Sequence, residues 1–233
     1  VLRSAIFYLC FFPWTILVII GAVPFSLCGA QYMHKAGHIW AKFLLWMAGV
    51  RLVVEGCENL PRDQRPVIYV GNHQSNFDIL CYFAGLPMQF RWMAKEELFH
   101  IPLFGLAMRR SGYIPIDRKD RRKAMDSLKV AAARIAEGTS VVIFPEGTRS
   151  DDGRLRSFKK GGFLMALKAQ VPLVPVAISG SWRVMRKGTL TVRPGTIYMK
   201  ILPALEPPGR DSRNVSLLMQ CVWEQLARVL DEE

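Results

Sequence analysis

The sequence predicts an α/β fold: a mixed central sheet flanked by helices, preceded by an N-terminal membrane-embedded two-helix segment. Three observations predict it. After Val54, short β-branched and aromatic runs alternate with stretches of helical periodicity, the pattern of a layered sheet. Before that, no Lys, Arg, Asp or Glu occurs between Arg3 and Lys35. Finally, the 233 residues are 51% hydrophobic yet hold 31 Lys+Arg against 19 Asp+Glu, a formal net charge of +12. So apolar a chain is not intrinsically disordered. Most of it is also too polar for several membrane spans. A basic globular domain with one concentrated apolar segment remains, a pairing suited to an anionic membrane or lipid.

Ala5 to Ala30 is the apolar segment. As one helix, rising about 1.5 Å per residue, it exceeds a bilayer core of about 30 Å. Pro13, Gly21 and Pro24 interrupt it. It reads either as a tilted, kinked span or as a helix that enters one leaflet and turns back. Ile39–Val54 reads as a partner helix in the interface, with Lys42 and Arg51 snorkelling. Trp14, Trp40 and Trp46 suit the membrane interface. His34 and His38 are four residues apart, but with no third ligand they read as interfacial helix residues. The predicted strands are Val67–Val70, Phe90–Ala94, Tyr113–Ile116, Ser140–Phe144, Leu173–Ile178, Thr189–Arg193 and Ile197–Leu202. The predicted helices are Ser75–Ala84, Leu103–Arg110, Arg121–Glu137, Phe158–Ala169 and Ser212–Leu230. In the third, Met125, Leu128, Ala132 and Ile135 recur at helical spacing and Gly138 stands at the stop position. The five cysteines have no CxxC pair and an odd count, which fits neither a disulfide framework nor a zinc site. A reducing, cytoplasmic-side domain follows, in line with the basic bulk lying after the apolar segment.

Three strand ends carry chemistry. Gly71-Asn-His-Gln-Ser-Asn-Phe-Asp78 follows one strand and precedes a helix, where α/β sheets commonly line an active crevice. An imidazole, with an ordinary pKa of about 6.5, suits His73 to take a proton from a hydroxyl at neutral pH. Asp78 can hold its other ring nitrogen. Ser75 is a weak nucleophile candidate, since no G-x-S-x-G elbow surrounds it. Phe144-Pro-Glu-Gly-Thr-Arg-Ser150 is the second site. There Gly147 permits close backbone approach, Thr148 offers a hydroxyl, and Arg149 offers a bidentate fork for phosphate. Glu146 sits awkwardly beside a phosphate and reads as positioning Arg149 or a substrate hydroxyl. The third site, Gly112 to Arg118, ends in an arginine that reads as a second phosphate clamp. The rest of the basic run to Lys123 reads as a solvated helix face. Arg183, Arg186 and Lys187 read as a solvated turn, with attraction to an acidic carrier protein as the alternative. No nucleic-acid reader motif appears, and the apolar segment argues for lipid instead.

Together these blocks resemble those of the PlsC-type 1-acylglycerol-3-phosphate acyltransferases, over about Val67 to Gly180. Asn72 to Asp78 matches the NHxxxxD element, and Lys95-Glu-Glu-Leu98 is similar to the K-x-E-L segment. Gly112 to Arg118, Phe144 to Ser150 and Val171 to Val176 match the remaining blocks in order. The resemblance implies transfer of an acyl chain from acyl-CoA or acyl-ACP (acyl carrier protein) to the sn-2 hydroxyl of lysophosphatidic acid, giving phosphatidic acid for phospholipid biosynthesis. It implies His73 as general base, oriented by Asp78. Arg149, with Gly147 and Thr148, would bind the acceptor phosphate, Arg118 sharing the task. Glu146 would orient the acceptor or Arg149. Lys95 would contact phosphate or stabilise the developing oxyanion. No metal and no cofactor are implied beyond the thioester co-substrate. The partners are membrane lipids, lysophosphatidic acid and the donor, with no nucleic acid. On this reading residues 1–54 are the membrane-embedded segment and 55–233 a catalytic domain on the cytoplasmic face. The alternatives are transfer to glycerol 3-phosphate or another lysophospholipid, and a non-catalytic protein that binds anionic lipid.

Overall fold

The computed structural model describes residues 2–231 except 62, 64, 118 and 119, and only the backbone of 121 and 124. The candidate Arg118 therefore lies outside the described residues. The chain opens with α1 (Leu2–Ala22), which runs through Pro13, then turns at Pro24–Cys28 and returns as α2 (Ala30–Ala48). The two helices pack as an antiparallel hairpin. Trp40 Nε1 donates to Thr15 Oγ1 at 2.9 Å, and Trp14 packs on Phe43 with centroids 4.5 Å apart. α1 is long and apolar enough to cross a membrane, and only 17% of its most apolar window is buried. That low burial separates it from a core helix of a soluble domain.

Seven strands follow: β1 (Val50–Glu55), β2 (Ile68–Gly71), β3 (Arg91–Lys95), β4 (Ile114–Ile116), β5 (Val141–Ile143), β6 (Leu173–Ser179) and β7 (Gly195–Ile201). They form one mixed sheet in the order β1-β7-β6-β2-β5-β3-β4. Every neighbouring pair is parallel except β6–β7, which is antiparallel. The central strands β2, β5 and β6 are buried along their whole length, as apolar runs covered on both faces must be. Side chains alternate across the sheet. Tyr69, Val142 and Val174 face α3 (Phe77–Gly85) and α2, with Phe7 of α1 in the same cluster. Ile68, Val70 and Ile143 face α5 (Arg121–Ala136), α6 (Gly161–Ala169) and α8 (Val215–Asp231). The short helices α4 (Phe104–Arg110) and α7 (Ser181–Val184) complete the fold.

Six predicted strands and the five predicted domain helices are present, with ends shifted by a few residues. Two expectations are corrected. Ile39–Val54 is not one helix, because α2 stops at Gly49, in the left-handed region at φ +69°, and residues 50–55 extend as β1 along β7. Thr189–Arg193 is not a strand, because its backbone is committed elsewhere. Val192 N–H donates to Ser4 Oγ at 3.0 Å, and Arg193 N–H to the Val184 carbonyl at 2.9 Å. His34 and His38 also differ from expectation. Both turn toward the domain: His34 is buried edge-on against Phe90 at 4.7 Å, and His38 Nδ1 donates to the Phe83 carbonyl at 2.6 Å.

Candidate active site

The strand β2 runs into the loop Asn72–Asn76 at the carboxyl end of the sheet. A Cβ on Gly71 would lie 2.0 Å from the Tyr82 hydroxyl, so only glycine lets α3 pack this close. The next residue lashes the loop to β6. Asn72 donates to the Ile178 carbonyl and accepts from its N–H, both at 2.8 Å. His73 is then fixed at its backbone. Its N–H donates to Glu146 Oε1 at 2.7 Å, and its carbonyl accepts from Ser150 N–H at 2.8 Å.

The ring of His73 is fixed as well. Its Nδ1 lies 2.8 Å from Asp78 Oδ2, and the ring stacks on Phe144 at 3.9 Å with a 6° interplanar angle. Trp92 and Tyr82 brace the other sides of Phe144. Asp78, in the first turn of α3, is fully buried. Its Oδ2 also accepts from Gln74 N–H at 2.7 Å and Ser75 N–H at 2.8 Å, and its Oδ1 accepts from the Ser181 hydroxyl. Donors alone surround this carboxyl group, a setting that a carboxylate satisfies. Nδ1 must therefore donate, which leaves Nε2 as the basic nitrogen. The His73 side chain is 13% exposed, so Nε2 remains reachable.

Glu146 is expected to orient the acceptor or Arg149, and its hydrogen bonds among the described residues go to neither a guanidinium nor a hydroxyl. It is 5% exposed, and both oxygens serve backbone donors: His73 N–H at 2.7 Å and Arg156 N–H at 3.2 Å. Burial pushes its pKa up to about 7 from an ordinary 4.5, and the charge of Asp78 adds to this. The two N–H groups pull the other way. Glu146 is thus a strut beneath the His73 backbone. Ser75 is excluded as a nucleophile. Its buried hydroxyl donates to the Met185 carbonyl at 2.8 Å and accepts from Phe77 N–H at 3.2 Å.

His73 opens into a cavity of about 400 Å³. Lys95, at the end of β3, and Arg149, on the turn after β5, line it with His73 and Asn76. The remaining wall is largely apolar and comes mainly from α1, α2, α3, α4 and β3, with Ile19, Trp40, Phe83 and Met108 among its members. Lys95 pairs with Glu97 at 3.0 Å and stays half exposed. Arg149 is half-buried and has no carboxylate partner among the described residues. Thr148 is exposed, and Gly147, at φ +73°, lets its turn pass Lys159. Neither of these two lines the cavity. The structure thus gathers His73, Asp78, Lys95 and Arg149, and leaves Gly147 and Thr148 as neighbours of Arg149. Asn72, which opens the NHxxxxD element, and Ser181 brace the site, and nothing in the local sequence of Ser181 marks that role. Among the described residues, no group of three His, Cys, Asp or Glu side chains forms a metal cluster.

The sequence and the overall fold match known proteins. The acyltransferase family model matches residues 51–179. The crystal structure of the 1-acyl-sn-glycerophosphate (LPA) acyltransferase PlsC from Thermotoga maritima matches with a TM-score of 0.85 at 32% identity. That match covers 99% of this chain and 94% of that one. The chain belongs to the PlsC-type 1-acyl-sn-glycerol-3-phosphate acyltransferase family. Within the family, a Pseudomonas aeruginosa 1-acyl-sn-glycerol-3-phosphate acyltransferase is 31% identical over 230 residues, 94% of this chain and 86% of its own length. A chloroplastic relative from Arabidopsis thaliana with the same activity in its name is 41% identical over 179 residues, 75% of this chain. The chain spans about half of that plant protein's length, 49%.

Proposed function

We propose that the protein transfers an acyl chain from an acyl thioester to the sn-2 hydroxyl of lysophosphatidic acid, forming phosphatidic acid. The observation that carries this reading is the cavity, in which a His–Asp pair and two cations meet a long apolar wall. The wall suits an acyl chain, while Lys95 and Arg149 suit the acceptor phosphate and the charge that develops on the thioester oxygen. His73 Nε2 takes the hydroxyl proton as the acceptor oxygen attacks the thioester carbonyl. Asp78 stabilises the imidazolium that results. The C–S bond then breaks, and the sulfur leaves as a thiol with the proton from His73. The acceptor itself is the nucleophile, so no acyl-enzyme is formed. The donor is acyl-CoA or acyl-ACP, and the protein's own residues carry the chemistry without a metal. The α1–α2 hairpin embeds in the leaflet and delivers lysolipid laterally, and the α/β domain works on the cytoplasmic face.

Purified protein given lysophosphatidate and a labelled acyl thioester, on either carrier, tests this. Phosphatidate should form, and His73→Ala should cut the rate by about 10²- to 10⁴-fold. No product with either donor, or an undiminished His73→Ala rate, would overturn the reading. Arg149→Ala should raise the KM for lysophosphatidate far more than that for the donor. Equal effects on both would remove it from the acceptor site.

A further inference from the structure

The catalytic site makes no use of the segment between α7 and β7. No Asp or Glu occurs in the sequence between Asp152 and Glu206, and this segment carries Arg186, Lys187 and Arg193, with Arg183 just before it on α7. Its two ends are anchored by buried side chains, Met185 (7% exposed) and Val192 (3%). Between them the chain makes a turn. Thr189 N–H donates to the Arg186 carbonyl at 3.2 Å, and Gly188 sits at φ +76° with open space around it. Leu190 projects from this turn and is 72% exposed. The guanidinium groups of Arg183 and Arg186 lie over the Trp182 ring, at 5.5 and 5.3 Å. Lys187 is neutralised by Asp151 at 3.1 Å, whereas Arg183, Arg186 and Arg193 have no carboxylate partner among the described residues.

The position of this turn gives its chemistry meaning. Ser4 Oγ bonds to Val192, and the Tyr8 hydroxyl contacts Met185 Sδ at 4.0 Å, so the turn sits at the base of α1. At that end α1 exposes Leu2, Ile6 and Leu9. We propose that residues 186–191 form a second membrane contact, in which Leu190 enters an anionic lipid surface and Arg183, Arg186 and Arg193 engage its headgroups. An exposed leucine framed by arginines on an aromatic platform has the composition of an interfacial anchor. Its continuity with the apolar face of α1 favours a bilayer over a soluble acidic partner. The inference rests on reading α1–α2 as membrane-embedded, and the test separates the two claims.

The whole protein is reconstituted in phosphatidylcholine nanodiscs with and without phosphatidylglycerol, and amide hydrogen exchange is read across residues 186–191. The amides of Gly188, Leu190 and Thr191 make no hydrogen bond among the described residues, so they exchange fast in water. Anionic lipid should slow them by about tenfold or more. Arg183→Gln/Arg186→Gln/Arg193→Gln, and separately Leu190→Asp, should abolish that slowing while leaving the protein bound to floated vesicles through its hairpin. Equal exchange with and without phosphatidylglycerol, in protein that still floats, overturns the second contact and leaves the hairpin reading intact. Protein that fails to float overturns both. Slowing by soluble acyl carrier protein without lipid, and none with lipid, assigns the turn to a protein partner and overturns the proposal.

Discussion

His73 is held from every side but one. Its N–H, carbonyl, Nδ1 and ring face all have partners, and Nε2 is left toward the cavity. This decides what single substitutions should do. In Asp78→Asn, an amide oxygen in the Oδ2 place keeps the donors of Gln74, Ser75 and His73, and the NH₂ group donates to the Ser181 hydroxyl, which can accept as well as donate, so the fold is kept and only the negative charge is removed. The imidazolium that forms on proton transfer then loses the charge that stabilises it. A rate lower by about 10²- to 10⁴-fold in the phosphatidate assay is expected, with the fold retained by circular dichroism. Glu146 gives a pH prediction. Its folded pKa of about 7 lies above the ordinary 4.5, so the folded state binds that proton more tightly than the unfolded one. Its contribution to stability is full below about 4.5 and is lost as pH rises through about 7. The Tm of wild type minus that of Glu146→Gln should therefore fall by several degrees across that window. A flat difference would show that Glu146 does not titrate there.

At the level of elements, close backbone approach sets the cavity wall. A Cβ on Gly105 of α4 would lie 2.1 Å from the Phe99 carbonyl oxygen, a backbone atom that also accepts from Arg109 Nη2. Gly105→Ala should push α4 away from that turn, costing roughly 1–3 kcal/mol, read as a lower urea midpoint. Because Phe104, Ala107 and Met108 line the cavity, the acyl-chain preference should change as well. Most of these elements were legible in the sequence, since β2, β5 and β6 are short apolar runs and α5 keeps its helical stripe up to Gly138. Where the reading failed, a local pattern met a tertiary decision. Val50–Val54 continues the apolar texture of α2, and only Gly49 marks the stop. Thr189–Arg193 is β-branched, but Ser4, far back in the sequence, takes the Val192 N–H that a ladder would use. His73, Asp78, Lys95 and Arg149 could be found because motif spacing carries them. The strut role of Glu146 could not, since its partners are backbone N–H groups that any residue could supply.

On the scale of the whole molecule, the hairpin and the sheet are one packing unit. Phe7 is 3% exposed and packs on Phe77, one residue before Asp78, at 5.7 Å. Arg3 Nη1 donates to the Ala48 carbonyl at 3.1 Å, closing the end of α2 just before β1. Farther along α1, Thr15, Val18, Ile19 and Ala22 form part of the cavity wall. With the membrane role proposed above, the hairpin has two separable duties, holding the lipid surface and completing the pocket. Detergent distinguishes them, because micelles relieve the first duty and cannot replace the second. Deletion of residues 1–30 should release or destabilise the protein in vesicles. If α1 were an anchor alone, the deletion variant would regain full transfer in detergent. The contacts above predict otherwise: transfer should stay lost in detergent. The denaturant midpoint should also drop, since removal of Phe7 alone carries a penalty of about 3–5 kcal/mol. A soluble, fully active truncation would reduce α1 to neither wall nor brace.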